Sequence, residues 1–212
     1  MPETTVPPLV WLPPEQNSFG VRVLDCRDFC KFMKNANCDP GVSQRFAELR
    51  RSSGEEHRGR SPQSPRQLPC KLCYRLRGGL RHGSAFRAKS MEDKWDIFFF
   101  ENALYFARSW TGELAFRAQV RIVPGELSVN SIEAGADGMA DEVHAIQHVD
   151  FLIKCHLLRL EVPHPLPESL PDDPFRIAVY SFRQYGRWAA FATYADTTQF
   201  GTRPFDPEET LM

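Results

Sequence analysis

The chain reads as an α+β protein with a mainly antiparallel, curved sheet and helices packed on one face. Strand patterns lie on both sides of the longest helix pattern, and tight turns rather than helical crossovers join them. The run 95–123, WDIFFFENALYFARSWTGELAFRAQVRIV, divides by itself into a three-stranded meander. A further hairpin is expected over 175–194, with its turn at Gln184-Tyr185-Gly186.

The meander has strands at 95–100, 103–110 and 113–123, joined at Glu101-Asn102 and Thr111-Gly112. In its third strand Leu114, Phe116, Ala118, Val120 and Ile122 fall on the core side, while Arg117, Gln119 and Arg121 face out. Each large apolar side chain buried is worth roughly 1.5–3 kcal/mol. A one-residue slip would bury Arg117 and Arg121 instead, so register is firmly set. Pro124-Gly125 closes the meander.

Residues 1–19 form a Pro-rich N-terminal extension, with Val10, Trp11 and Leu12 as an apolar anchor. A single domain is expected over 20–194, followed by an acidic tail over 195–212. Within the domain, 21–24 alternates as a short strand. A helix over 25–34 places Phe29, Phe32 and Met33 on one face with Asp25 as N-cap. A second helix, 43–51, starts at Ser43 and turns Phe46 and Leu49 inward. The stretch 52–69, SSGEEHRGRSPQSPRQLP, is polar and reads as a loop, and alternation returns at 70–76. The longest helix pattern spans 138–158, with Val143, Ile146, Val149 and Ile153 in one apolar arc.

Bulk composition narrows the function classes. Net charge is −1 over 212 residues, which offers no electrostatic case for nucleic acid. The distribution is uneven: residues 45–89 hold twelve Lys/Arg and three Asp/Glu, while 126–212 hold six and fourteen. The two regions either attract each other in the fold or leave an anion-binding surface. No run approaches the ~18–20 apolar residues of a membrane span. The N-terminal stretch lacks a basic region and reads as no signal or targeting segment, so a cytoplasmic protein is expected. Cys26, Cys30, Cys70 and Cys73 offer thiolates for a zinc site, but reduced, part-buried thiols are the favoured reading.

Three constellations can carry chemistry. In RSWTG, Arg108 and Trp110 pair a guanidinium fork with a stacking face, which suits a phosphate- or carboxylate-bearing ligand. In GEEHRG, Glu55, Glu56, His57 and Arg58 combine carboxylates, a proton shuttle and an anion clamp on one loop. On the long helix, Asp141, His144, His148 and Cys155 form a stripe opposite the apolar arc, with two imidazoles one turn apart as weak metal candidates. That stripe reads more readily as a polar helix face, or as one covered by the N-terminal segment. No phosphate-cradling loop, dinucleotide fingerprint or nucleophile elbow occurs. No cofactor is expected.

The segments VRVLDC (21–26), GEEHRG (54–59) and MEDKWDIFFFENALYFARSWTGEL (91–114) resemble those of a group of uncharacterised bacterial proteins. The resemblance spans roughly residues 20–122 and implies a bacterial cytosolic protein, with no activity attached. Fragments of the W-x-I…LYF-x-RSWTG type are similar to small domains that accompany nucleotide or ADP-ribose processing modules, which implies a nucleotide-like anion. The expected function is a binding or interaction domain for an anionic ligand or an acidic protein partner, using Arg108, Trp110, Arg58 and Arg117. The alternative is a hydrolase of a phosphoester or glycosidic bond, with Glu55 or Glu56 as base, His57 as shuttle and Arg108 stabilising charge. The hydrolase needs the Glu55–His57 groups beside Arg108 in one pocket.

Overall fold

The computed structural model describes residues 6–34, 39–136 and 141–201. It is α+β with mainly antiparallel sheets. The larger sheet has six strands in the order β3-β8-β7-β6-β5-β4, all antiparallel: β3 (Arg66–Arg75), β4 (Gly83–Phe86), β5 (Trp95–Phe100), β6 (Ala103–Arg108), β7 (Leu114–Val123) and β8 (Glu126–Ala134). The smaller sheet orders as β1 (Val10–Leu12), β2 (Val23–Asp25), β10 (Phe191–Thr193) and β9 (His164–Pro165), with β9 and β10 parallel. Helices are α1 (Arg27–Phe32), α2 (Pro40–Leu49), α3 (Glu142–Leu152), extended by a π turn at Ile153–Leu157, and α4 (Pro174–Tyr185). Among the described residues, no helix is long and apolar enough to cross a membrane.

The meander forms over 95–123 with β5 and β6 in the expected register, Phe100 opposite Ala103 and Trp95 opposite Arg108. Its inner face buries Trp95, Ile97, Phe99, Leu104, Phe106 and Phe116 in the main core. Its outer face buries Phe98, Phe100, Ala103, Tyr105 and Ala107 in a separate small cluster. Leu114 departs from the expected side. A bulge between Phe106 and Ala107 leaves Ala115 as an extra residue, and this rotates Leu114 onto the outer cluster. Pro124-Gly125 does not end the meander but turns it into β8, whose Leu127, Val129, Ile132 and Ala134 are all buried. The inward phase slips by one at Asn130, the residue skipped between the Gln119–Ser131 and Val120–Val129 pairs. β3 lies along the free side of β8. It carries Pro69 and a second irregularity, and exposes Arg66, Lys71 and Arg75.

The hairpin expected over 175–194 is instead helix α4 followed by β10. Ile177, Ala178, Ser181, Phe182 and Tyr185 are the buried positions of the helix, a spacing of one, three, one and three that no strand produces. Asp173 accepts a hydrogen bond from the Arg176 N–H (2.7 Å) and Pro174 follows it, the ordinary start of a helix. Gly186 ends α4 at φ +64°, where a Cβ would collide with the Glu92 carbonyl.

Helix α3 also faces differently from the expectation. Val143 of the apolar arc is 65% exposed, whereas His144, Ala145, His148, Val149 and Leu152 are buried. The histidine stripe is therefore the core-facing side. The His148 ring packs edge-on and tilted against Trp95, Phe116 and Tyr185, contacts that a neutral imidazole makes as an aromatic.

At the far end of α3, Lys154 Nζ lies 2.7 Å from Asp150 Oδ2, and both side chains are at most 2% exposed. The Tyr74 hydroxyl donates to Asp150 Oδ1 (2.9 Å), and Lys154 donates to the Thr197 and Thr198 carbonyls at 3.2 and 2.9 Å. Burial pushes the Asp150 carboxyl up to about 6 despite the adjacent ammonium. The cluster ties α3 to β3 and to the chain beyond β10. Asp150→Asn leaves a buried ammonium without its counter-ion and is expected to lower unfolding free energy by about 3–5 kcal/mol. Urea denaturation checks this, and the double variant Asp150→Asn/Lys154→Met should be less damaged than the single one.

Candidate functional site

Arg108 closes β6 and points to the inner face, directly across from Trp95. Its guanidinium stands over the Trp95 indole, 4.7 Å from a ring centroid. It donates to the carbonyls of Gln184 (3.3 Å) and Arg183 (3.2 Å), and Trp95 Nε1 donates to the same Gln184 carbonyl (2.7 Å). These carbonyls lie in the last turn of α4, where a helix leaves acceptors without internal donors and carries partial negative charge. Among the described residues no carboxylate pairs with Arg108 within 4.0 Å. Glu113 acts on it only from a greater distance.

Beside Arg108 lies a cleft of about 620 Å³. Its walls come from β6 and β7, from α3 through His144 and His148, and from α4 through Tyr180 and Gln184. The loop residues Gln63, Ser64 and Pro167 complete the rim. His144 Nε2 and the Tyr180 hydroxyl are 3.1 Å apart. His148 is 2% exposed, and neither of its ring nitrogens has a hydrogen-bond partner. Burial holds the His148 imidazolium well below its usual range, and His144 and Arg108 push it further the same way. Burial lowers His144 too, against the pull of Asp141. Arg108 is itself lowered by burial, though a guanidinium stays charged at neutral pH. The cleft thus presents one fixed cation, two neutral imidazoles and a phenol to whatever enters, with the Glu113 carboxylate also in its lining but outside ion-pair distance of Arg108.

The structure does not bring the Gly54–Gly59 loop to this cleft. That loop covers the outer sheet face. Gly54 sits at φ +86° against Phe98, where a Cβ would strike the ring. His57 stacks on Phe98 with centroids 5.3 Å apart, and the Gly59 N–H donates to the Tyr105 hydroxyl (2.9 Å). Its polar groups are occupied locally: Glu56 accepts from Ser52 Oγ at 2.6 Å, and Arg58 pairs with Glu101 at 2.7 Å and Glu55 at 3.7 Å. Arg117 is on this face as well, paired with Glu133 at 2.9 Å. Phe98 and Tyr105 alternate with Trp95 and Phe106, so the sheet itself stands between Glu55, Glu56 and His57 and the guanidinium of Arg108.

Trp110 also lies away from the cleft. Its indole N–H donates to the Met91 carbonyl (2.8 Å), and Lys94 lies over its ring. The stacking surface next to Arg108 is Trp95 instead. Tyr180 and Gln184 were hidden inside the segment that reads as a hairpin. The metal candidates do not gather: Asp141 caps α3 by accepting from the His144 N–H (2.7 Å). Among the described residues no group of three His, Cys, Asp or Glu side chains is arranged to hold a metal ion. Cys26, the N-cap of α1, and Cys30 within it are buried, while Cys70 and Cys73 lie on β3, and all four are free thiols. Cys38 lies outside the described residues.

Burial depresses two more histidines, His156 and His164, each to about 3. With His148, they remain neutral in the folded chain where an unfolded histidine takes a proton below about 6.5. Stability from this source is complete above pH 6.5 and falls as pH drops toward 3. His156 and His164 each remove on the order of 1.4 kcal/mol per pH unit within that window, and His148 acts in the same direction. Asp150 works in the opposite direction between about 6 and 3.8, but it is one group against three. Unfolding free energy measured from pH 7 to pH 4 should therefore decline steeply, and His156→Phe/His164→Phe should flatten the decline.

No family model, no curated protein and no solved structure matches this chain.

Proposed function

We propose that this protein binds a small anionic molecule, carrying a phosphate or carboxylate group, in the cleft between the β6–β7 end of the sheet and helices α3 and α4. The observation that carries the reading is the Arg108 guanidinium, which borders a cleft of about 620 Å³ and has no carboxylate partner within 4.0 Å among the described residues. Its two carbonyl contacts orient the fork without neutralising it. An arriving oxyanion would supply the missing charge, and a charge-assisted hydrogen bond in such a site is worth about 1.5–3 kcal/mol.

The neighbouring groups suit a ligand that has a polar body as well as a charged end. His148 offers unsatisfied ring nitrogens, and the His144–Tyr180 pair offers a donor and an acceptor. A concave site of this size favours a small molecule over an acidic protein surface. A reducing, cytoplasmic setting fits the free thiols of Cys26, Cys30 and Cys155, all buried.

The test is a thermal-shift screen of nucleotides, sugar phosphates and dicarboxylates on the wild type, Arg108→Ala, Arg108→Lys and His148→Phe. A true ligand at 100 times its dissociation constant stabilises the wild type by about 2.7 kcal/mol. Arg108→Ala should abolish the stabilisation, and Arg108→Lys should keep a weakened response because it preserves charge but not the planar fork. Circular dichroism confirms that each variant is folded. A panel with no response, or one in which no stabilising ligand depends on Arg108, sinks the reading.

A further inference from the structure

A second hollow, of about 280 Å³, opens between α1, the π turn after α3 and the segment that follows α4. It shares no lining residue with the Arg108 cleft. Arg27, Lys31, Arg159 and Arg187 line it, against the single carboxylate of Glu161. Arg27 is held by Asp25 at 2.6 Å and Arg187 by Asp93 at 2.7 Å, and in both the Nη1 nitrogen stays outside the pairing. Among the described residues, Arg159 and Lys31 have no ion-pair partner within 4.0 Å.

Arg159 is the telling residue. It follows Leu158, the C-cap of the π turn, and its φ is +60°. The Leu160 N–H closes the end of the helix onto the Lys154 carbonyl (3.0 Å). The residue just past a helix C-cap in this left-handed conformation is ordinarily glycine, because a Cβ is strained there. Arginine sits at this position, and its guanidinium projects over Trp188 and Phe86, 5.2 Å from each ring. Behind the indole lies His156, 5.0 Å away and 1% exposed. A residue held in an unfavourable backbone region points to a use for its side chain.

We propose that this hollow is a second oxyanion site, taking one phosphate group either free or as a phosphomonoester, with Arg159 and Lys31 supplying the binding charge. Arg27 and Arg187 frame it with their remaining Nη1 donors. Donors arriving from three separate elements suit a tetrahedral anion with several acceptor oxygens, whereas a flat carboxylate is served by one arginine fork. Glu161 opposes the field and limits the site to a single phosphate group.

Isothermal titration of the full chain with inorganic phosphate, at constant ionic strength set by chloride, tests this. Glycerol phosphate as a second titrant separates the free ion from the monoester. Arg159→Gly removes the side chain and relieves the backbone, so it should keep or raise the melting temperature while losing the phosphate heat. Lys31→Ala should weaken binding on the order of tenfold or more. Arg108→Ala should leave phosphate binding here intact, which separates this site from the other cleft. The idea is overturned if neither titrant binds the wild type. It is equally overturned if Arg159→Gly binds phosphate as tightly as the wild type, or melts earlier with binding unchanged, for then Arg159 is only a cover for Trp188 and Phe86. Loss of phosphate binding in Arg108→Ala but not in Arg159→Gly would also overturn it.

Discussion

Two carbonyls at the end of α4, those of Arg183 and Gln184, are gripped by a cross-strand pair from the meander, Trp95 and Arg108. Much of the molecule depends on this grip. It docks α4 on the inner sheet face and sets Tyr180 opposite His144. It also brings Gly186 under the 89–94 turn, where Arg187 and Trp188 both bond Asp93. The same guanidinium that completes the helix end borders the cleft. Structure and site therefore share one side chain, and the helix terminus is what keeps the fork aimed.

Parts of this were legible in the sequence and parts were not. The meander could be read because Glu101-Asn102 and the period-2 tail are local signals, and local signals survive tertiary context. β8 is not legible because the extra residue Asn130 breaks its alternation midway. The α4 segment reads as a hairpin strand because Phe175, Ile177 and Val179 alternate, yet the Asp173-Pro174 start marks a helix and Phe175 is largely exposed. The histidine stripe reads as a polar helix face because imidazole counts as polar, although a neutral ring packs as an aromatic. The cleft itself could not be read. Arg108, His144 and Tyr180 come from three elements far apart in the chain, and no local pattern announces their meeting. Proximity in sequence misled in the other direction: Arg108 and Trp110 are two residues apart but serve different places.

The interior is unusual in its use of imidazole. His148, His156 and His164 are each at most 2% exposed, and they adjoin Trp95, Phe86, Trp188, Tyr185 and Phe151. An apolar ring in their place would carry no proton-dependent penalty, so these positions tie the fold to pH in a way that its aliphatic core does not. His164 is partly satisfied, by Ser181 Oγ at 2.7 Å. A core stocked in this manner stays poised between packing and titration, and His148 carries that property to the wall of the cleft.

The edge strand β3 gives the basic region 45–89 a second meaning. A strand at the margin of a six-stranded sheet offers an open ladder to any extended chain that approaches. Pro69 has no N–H to contribute, the irregularity beside it breaks the spacing of the rungs, and Arg66, Lys71 and Arg75 set charges along the margin. Another copy of the same strand would bring the same charges and the same missing rung. Part of the positive excess thus lies along an edge that disfavours pairing with a second copy of the same strand, on a strand that lines neither cavity.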